Sequence, residues 1–175
     1  MKPAKGANRA RASRTRSKRR PDSRALSLTV QYATRSPTVP EEACFRQWVR
    51  AALRSDAQIT VRVIGLKEAR ELNRTYRGKD YATNVLTFVM RGSPPYEGDL
   101  ALCAPVVARE ARAQGKELTA HYAHLTVHGV LHLQGYAHED DREAAEMEKL
   151  ETRILKRLGY PDPYSPAARH GRHAQ

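Results

Sequence analysis

Five of the seven histidines fall within 18 residues, at positions 121, 124, 128, 132 and 138. His128 and His132 are four residues apart. On a helix that is one turn and about 40° around the axis, so both imidazoles reach one point beside it. Gly135 follows three residues later, and a left-handed exit through it would swing His138 back towards the same point. Three imidazoles then occupy three corners of a tetrahedron. Imidazole ligation without thiolate favours zinc, and three protein ligands leave the fourth corner for water, whose pKa an open zinc lowers towards about 7. One zinc per chain on His128, His132 and His138 is therefore expected. A single histidine on an apolar helix face is more often a satisfied core residue. That reading holds by default for His121, roughly 10 Å along the axis from His128. For His124 it weighs equally with a role behind the metal or against substrate.

The spacing His128-x3-His132-x2-Gly135-x2-His138 matches that of metzincin metalloproteases, which place a general-base Glu directly after the first histidine. Gly129 stands there instead. The carboxylate for peptide hydrolysis is missing, which makes a protease the weaker reading. Glycine in mid-helix costs about 1 kcal/mol against alanine, so it implies either close packing or clearance for a substrate.

The elements that must position these residues follow from periodicity. Leu26, Leu28, Val30 and Tyr32 alternate as a strand, and Phe45, Trp48, Val49, Ala52 and Leu53 fall at helical spacing within residues 41–54. Ile59, Val61 and Val63 alternate again, then Leu66, Ala69, Leu72, Asn73 and Tyr76 predict a helix stopped by Gly78. Two strands are expected at residues 84–90 and 98–103, followed by helices ending near Gln114, spanning residues 117–134 and spanning residues 141–158. This order predicts a small α+β domain, with about five helices packed on a mixed four-stranded sheet.

Composition separates a tail from that domain. The chain of 175 residues carries a net charge of +12, of which residues 1–24 supply +9. Those residues offer only Met1 and four alanines as apolar surface, too little to offset the entropy of ordering them, so a disordered basic tail is expected. Ten cations without an aromatic suit attraction to phosphate backbones, against the simpler reading of a solubilising extension. Residues 25–164 form the expected domain and 165–175 a flexible end. No run of 18 apolar residues exists, which excludes a membrane-spanning helix, and the alternating segment after Arg24 does not form the apolar stretch of a secretory signal. Cys44 and Cys103 form no CxxC and point to no oxidising compartment.

The stretch from His128 to His138, His-Gly-Val-Leu-His-Leu-Gln-Gly-Tyr-Ala-His, closely resembles the signature of the YbeY family, zinc-dependent bacterial endoribonucleases of ribosomal RNA maturation. The resemblance extends through residues 72–80, Thr83 to Phe88, and Gly98-Asp99-Leu100, and to Met147 and Glu151, which match the family's Met-x3-Glu. It covers about residues 25–164. It implies a zincin-like architecture, with zinc on His128, His132 and His138 and catalysis resting on Arg77 and His128. A guanidinium suits the charge that develops on phosphodiester oxygens. The simpler reading of Arg77 is a helix C-terminal charge satisfying backbone carbonyls. Ala137 stands where the family usually has Asp, removing a carboxylate beside the third ligand, while Ala82 and Val89 replace family prolines.

The resemblance implies a single-strand-specific endoribonuclease acting in 16S rRNA 3' end processing and ribosome quality control. The expected partners are rRNA and the small ribosomal subunit, with ribosomal proteins or GTPases as further candidates and no membrane. A bacterial cytoplasmic location is expected, with organelle targeting by the Arg-rich tail as the minor alternative. The competing function is a ribosome-assembly factor that binds RNA and holds zinc structurally.

Overall fold

The computed structural model describes residues 23–136 and 140–165. Strand β1 (Leu26–Ala33) leads to helix α1 (Glu42–Ala52), β2 (Ala57–Ile64) and α2 (Leu66–Arg77). β3 (Val85–Arg91) and β4 (Tyr96–Cys103) follow, then α3 (Ala104–Ala113), α4 (Leu118–Leu133) and α5 (Asp141–Arg157). The expected order is found, with ends shifted by no more than two residues. Glu117 caps α4 by accepting from the backbone N–H groups of Thr119 and Ala120, and Asp140 caps α5 by accepting from Glu143.

The four strands form one mixed sheet in the order β1-β2-β4-β3. β1, β2 and β4 run parallel, and β3 pairs antiparallel with β4 at the edge. The fold is α+β, as the sequence predicts. One face of the sheet carries the larger core, in which Val61, Val63, Leu100 and Leu102 meet α1, α4 and α5. Phe45, Trp48 and Tyr122 stack edge to face within it, with centroids 5.3 and 6.3 Å apart. The other face packs a smaller cluster of Ile64, Ala69, Leu86, Ala101, Cys103 and Val106, beneath α2 and α3.

Helix α4 runs through the larger core and is apolar on nearly every side, as a buried helix must be. Its seat on the sheet is a reciprocal fit. A Cβ built on Gly129 of α4 would lie 2.4 Å from Leu100 Cδ2, and one built on Gly98 of β4 would lie 2.4 Å from Leu133 Cδ2. Each element leaves a gap that the other's leucine fills. The glycine after His128 therefore serves close packing, not clearance for a substrate.

The expected tails lie almost wholly outside the described residues. At the inner edge of the first, Arg24 donates to the Leu53 carbonyl and its own carbonyl accepts from Arg50 Nη1 at 3.4 Å. Contact with the domain thus begins at least one residue before the expected boundary. No helix among the described residues is long and apolar enough to cross a membrane.

Candidate metal centre

His128 and His132 lie one turn apart near the C-terminal end of α4, and their Nε2 atoms converge to 3.0 Å. Two lone pairs at that distance repel unless a proton or a cation lies between them. Which nitrogen of His128 carries a proton is fixed from behind: its Nδ1 is 2.7 Å from Glu151 Oε1. Glu151 projects from α5 and is fully buried. Burial alone would raise its pKa, but hydrogen bonds from His124 and His128, attraction to His128 and the Tyr164 hydroxyl outweigh it and hold the carboxyl down at about 2. An ionised carboxylate only accepts. His128 Nδ1 therefore donates, and its Nε2 presents a lone pair towards His132.

This is the carboxylate–histidine arrangement that fixes tautomer and ring direction at metal sites. Two Zn–N bonds of about 2.0–2.1 Å at a tetrahedral angle place their nitrogens about 3.3 Å apart, close to the observed separation. The pair fits a divalent metal. Gly135 has φ +84°, the left-handed exit the sequence predicts after α4. His138, the third expected ligand, and Ala137 beside it lie outside the described residues. Among the described residues no group of three His, Cys, Asp or Glu side chains is placed to hold a metal ion.

Glu151 gathers further partners. Its Oε2 accepts from His124 Nε2 at 2.9 Å and from the Tyr164 hydroxyl, which also lies 3.3 Å from that nitrogen. Burial and the bond to this carboxylate raise the Tyr164 pKa, so the phenol stays protonated and donates. Tyr164 is held in turn by Asp162, whose Oδ1 accepts from the Tyr164 N–H at 3.0 Å, while the Pro163 carbonyl accepts from Lys116 Nζ at 2.6 Å. A cavity of about 290 Å³ opens beside this assembly, lined by His128, Ala144, Met147, Glu148, Glu151 and Tyr164.

His124 thus stands behind the converging pair, the alternative the sequence left equal with core packing. His121 is core-buried as expected, with a partner the sequence did not disclose: its Nε2 lies 2.9 Å from Glu110 Oε2, and Glu110 also accepts from Asn84 Nδ2 at 3.0 Å. Glu151 entered the sequence reading only through a resemblance, although a signal was legible. On α5 it falls on the stripe formed by Met147, Ile154 and Leu155, where a lone carboxylate needs an internal partner. Tyr164 gave no periodic signal, because it follows the last helix.

Arg77 is the last residue of α2 and is exposed. The helix end is closed by backbone: Gly78, at φ 68°, donates to the Arg74 carbonyl and Lys79 to that of Asn73. The backbone thus meets two of the last carbonyls, while Arg77 is one of the two basic residues of the last turn, where a cation also complements the helix dipole. The guanidinium forms no hydrogen bond with His128 or His132. The neighbouring Tyr76 leans on Phe88 of β3, centroids 4.9 Å apart, while Thr87 of the same strand lies against Gly129 of α4. Arg77 and the histidines are therefore held on either side of one edge strand.

A mixed sheet carrying a buried helix, with a carboxylate-braced His-x3-His pair near that helix's end, defines a small α+β protein with a site fit for a divalent metal. The chain belongs to the endoribonuclease YbeY family, whose sequence pattern matches residues 31–159. It is 62% identical over 146 residues to the endoribonuclease YbeY of Aromatoleum aromaticum, covering 80% of this chain and 93% of the relative. The corresponding protein of Paraburkholderia phymatum is 61% identical over 147 residues, with 79% and 95% covered. The solution structure of TM1509 from Thermotoga maritima shares the fold, with a TM-score of 0.56 at 24% identity, over 81% of this chain and 99% of that one.

Proposed function

We propose that this endoribonuclease cleaves single-stranded RNA in ribosomal RNA maturation, at the 3' end of 16S rRNA, with zinc held by His128, His132 and His138. The convergence of His128 Nε2 and His132 Nε2 at 3.0 Å, with Glu151 behind, carries the reading. When bound, zinc polarises a phosphoryl oxygen and acidifies water. The chain's own residues supply the rest. Glu151 keeps the His128 proton on Nδ1, so that Nε2 remains a donor of its lone pair. His124 and Tyr164 keep Glu151 ionised where burial would neutralise it.

Arg77 is assigned to the phosphate that is cut, where its planar fork of donors matches the oxygens on which charge develops. Its exposure supports this, since no ion pair among the described residues engages it. The working location is the bacterial cytoplasm, and the partners are rRNA and the small ribosomal subunit.

Metal analysis joined to cleavage of defined RNAs tests the proposal. Wild type should carry about one zinc and cut single strands. His132→Ala should lose both metal and cleavage, whereas Arg77→Ala should lose cleavage alone. Unchanged zinc content in His132→Ala overturns the ligand set. Full zinc with no RNA cleavage favours an assembly factor whose metal is structural.

A further inference from the structure

Among the described residues, four of the seven large apolar side chains left exposed gather around the end of α2 and the edge strand β3: Tyr76, Tyr81, Val89 and Met90. Tyr76 is 65% exposed and Tyr81 54%, yet both are fixed. The Tyr76 ring is braced edgewise on Phe88. The loop that carries Tyr81 is pinned twice: Asn73, itself 1% exposed, donates its amide to the Tyr81 carbonyl at 2.8 Å, and Arg70 grips both oxygens of Asp80 at 2.7 and 2.6 Å. A buried asparagine and a bidentate ion pair hold the backbone that presents Tyr81, and Phe88 braces Tyr76. Such rigidity removes the entropy cost of ordering them when something stacks on them.

Charge selects the ligand. Asp80 is committed to Arg70, and Arg77 and Lys79 form no ion pair among the described residues. Arg74 stands near enough to Asp80 to help lower its pKa, but hydrogen-bonds no carboxylate among the described residues. Exposed aromatic rings interleaved with cations that outnumber the acids beside them match single-stranded nucleic acid, whose bases stack on the rings while its phosphates meet the cations. An apolar protein partner would gain nothing from the cations.

We propose that Tyr81 and Tyr76, with Arg74 and Lys79, form a stacking platform that receives single-stranded RNA beside the cleavage site. The strand passes over the edge of β3, which no other strand covers among the described residues, towards His128 and His132. Two or more bases flanking the scissile bond rest on the tyrosines. The platform gives the enzyme its preference for unpaired RNA, because only unpaired bases offer their faces. This rests on the endoribonuclease reading for its orientation, but binding is measurable without cleavage.

The test uses the full chain and a fluorescein-labelled 12-nucleotide RNA protected from cleavage by 2'-O-methylation, alone or as a duplex, followed by anisotropy across a salt series. Tyr81→Ala should weaken single-strand binding by about five- to hundredfold, the range spanned by loss of one stacked base, and leave duplex binding unchanged. Tyr81→Phe should bind as wild type. Lys79→Ala should lower the slope of log affinity against log salt by about 0.7, which Tyr81→Ala should not. Single-strand affinity of Tyr81→Ala within twofold of wild type, with an unchanged melting temperature, overturns the proposal. An equal loss on duplex overturns it too. Tyrosine-dependent binding in a protein that cuts no RNA would leave the platform standing and remove the nuclease reading alone.

Discussion

Glu151 on α5 and His128 on α4 are joined by a 2.7 Å hydrogen bond between the two longest helices of the domain. One side chain is fully buried and charged; the other faces the site. The bond fixes the direction of His128 Nε2, so under the proposed zinc site its removal should be felt in metal affinity before it is felt in the fold.

Glu151→Gln keeps the volume and one acceptor but removes the charge. Zinc affinity should fall about 10–100-fold, as when the outer partner of a metal-binding histidine is lost. Competition against a chromogenic chelator measures this. Affinity within twofold of wild type would make Glu151 a purely structural acid.

Tyr164→Phe removes one of three donors to the same carboxylate and leaves a ring of similar volume. The loss of zinc affinity should be smaller than for Glu151→Gln, and the two changes combined should be less than additive because they act on one group. A double-mutant cycle on metal affinity reads the coupling. Full additivity would separate Tyr164 from Glu151.

Gly129→Ala should destabilise the protein by about 1–3 kcal/mol, the usual cost of overpacking, although alanine is normally the better helix former by about 1 kcal/mol. The new Cβ would meet Leu100, which is fully buried and has nowhere to turn. Urea denaturation gives the value. A stabilised variant would show that α4 can lift from β4 without cost.

His121 supplies a pH dependence. Burial lowers its pKa from 6.5, against the pull of Glu110 and helped by the nearby His124 and Lys116. Folded His121 then binds fewer protons than unfolded His121 just below pH 6.5, so its contribution to stability is lost as pH falls from 6.5 towards the lowered value. His121→Gln should flatten the loss of stability between pH 7 and pH 5.5 relative to wild type. Parallel curves for the two proteins would show that His121 titrates normally.

Removing residues 1–22, which carry a net charge of +8, should leave the melting temperature nearly unchanged and reduce the salt slope of RNA binding. Arg24 must be kept, since it donates to Leu53. Equal slopes for the two lengths would assign the positive charge a purpose other than RNA.

Periodicity made most of the nine elements of the described residues legible because they bury a single face, while β4, buried on both faces, read as a short apolar run, and α4, apolar all round, was bounded by Glu117 and Gly135. The imidazole pair was legible for a related reason: four residues is a distance fixed by one helix. What escaped was whatever joins separate elements. Glu151 is 23 residues from His128, and Tyr164 is 13 further on; no local pattern states which acid a buried histidine will meet. The role of Gly129 was equally hidden, since the atom that forbids a side chain there belongs to β4. The αL exit at Gly135 was readable because backbone geometry, unlike side-chain partnership, is written locally.

The exchange of leucines and glycines between α4 and β4 works as a pair of dowels. Gly129 receives Leu100 and Gly98 receives Leu133, and the two pegs point in opposite directions, so the helix can neither slide along the strand nor roll on it without driving carbon into carbon. His128 sits next to one peg hole and His132 next to the other peg. The aim of both imidazoles is thereby inherited from hydrocarbon. Trimming Leu133 to valine, or moving the branch of the side chain at position 100 with Leu100→Ile, would re-aim both imidazoles without touching a polar atom, so the direction of this site is set from its driest contacts.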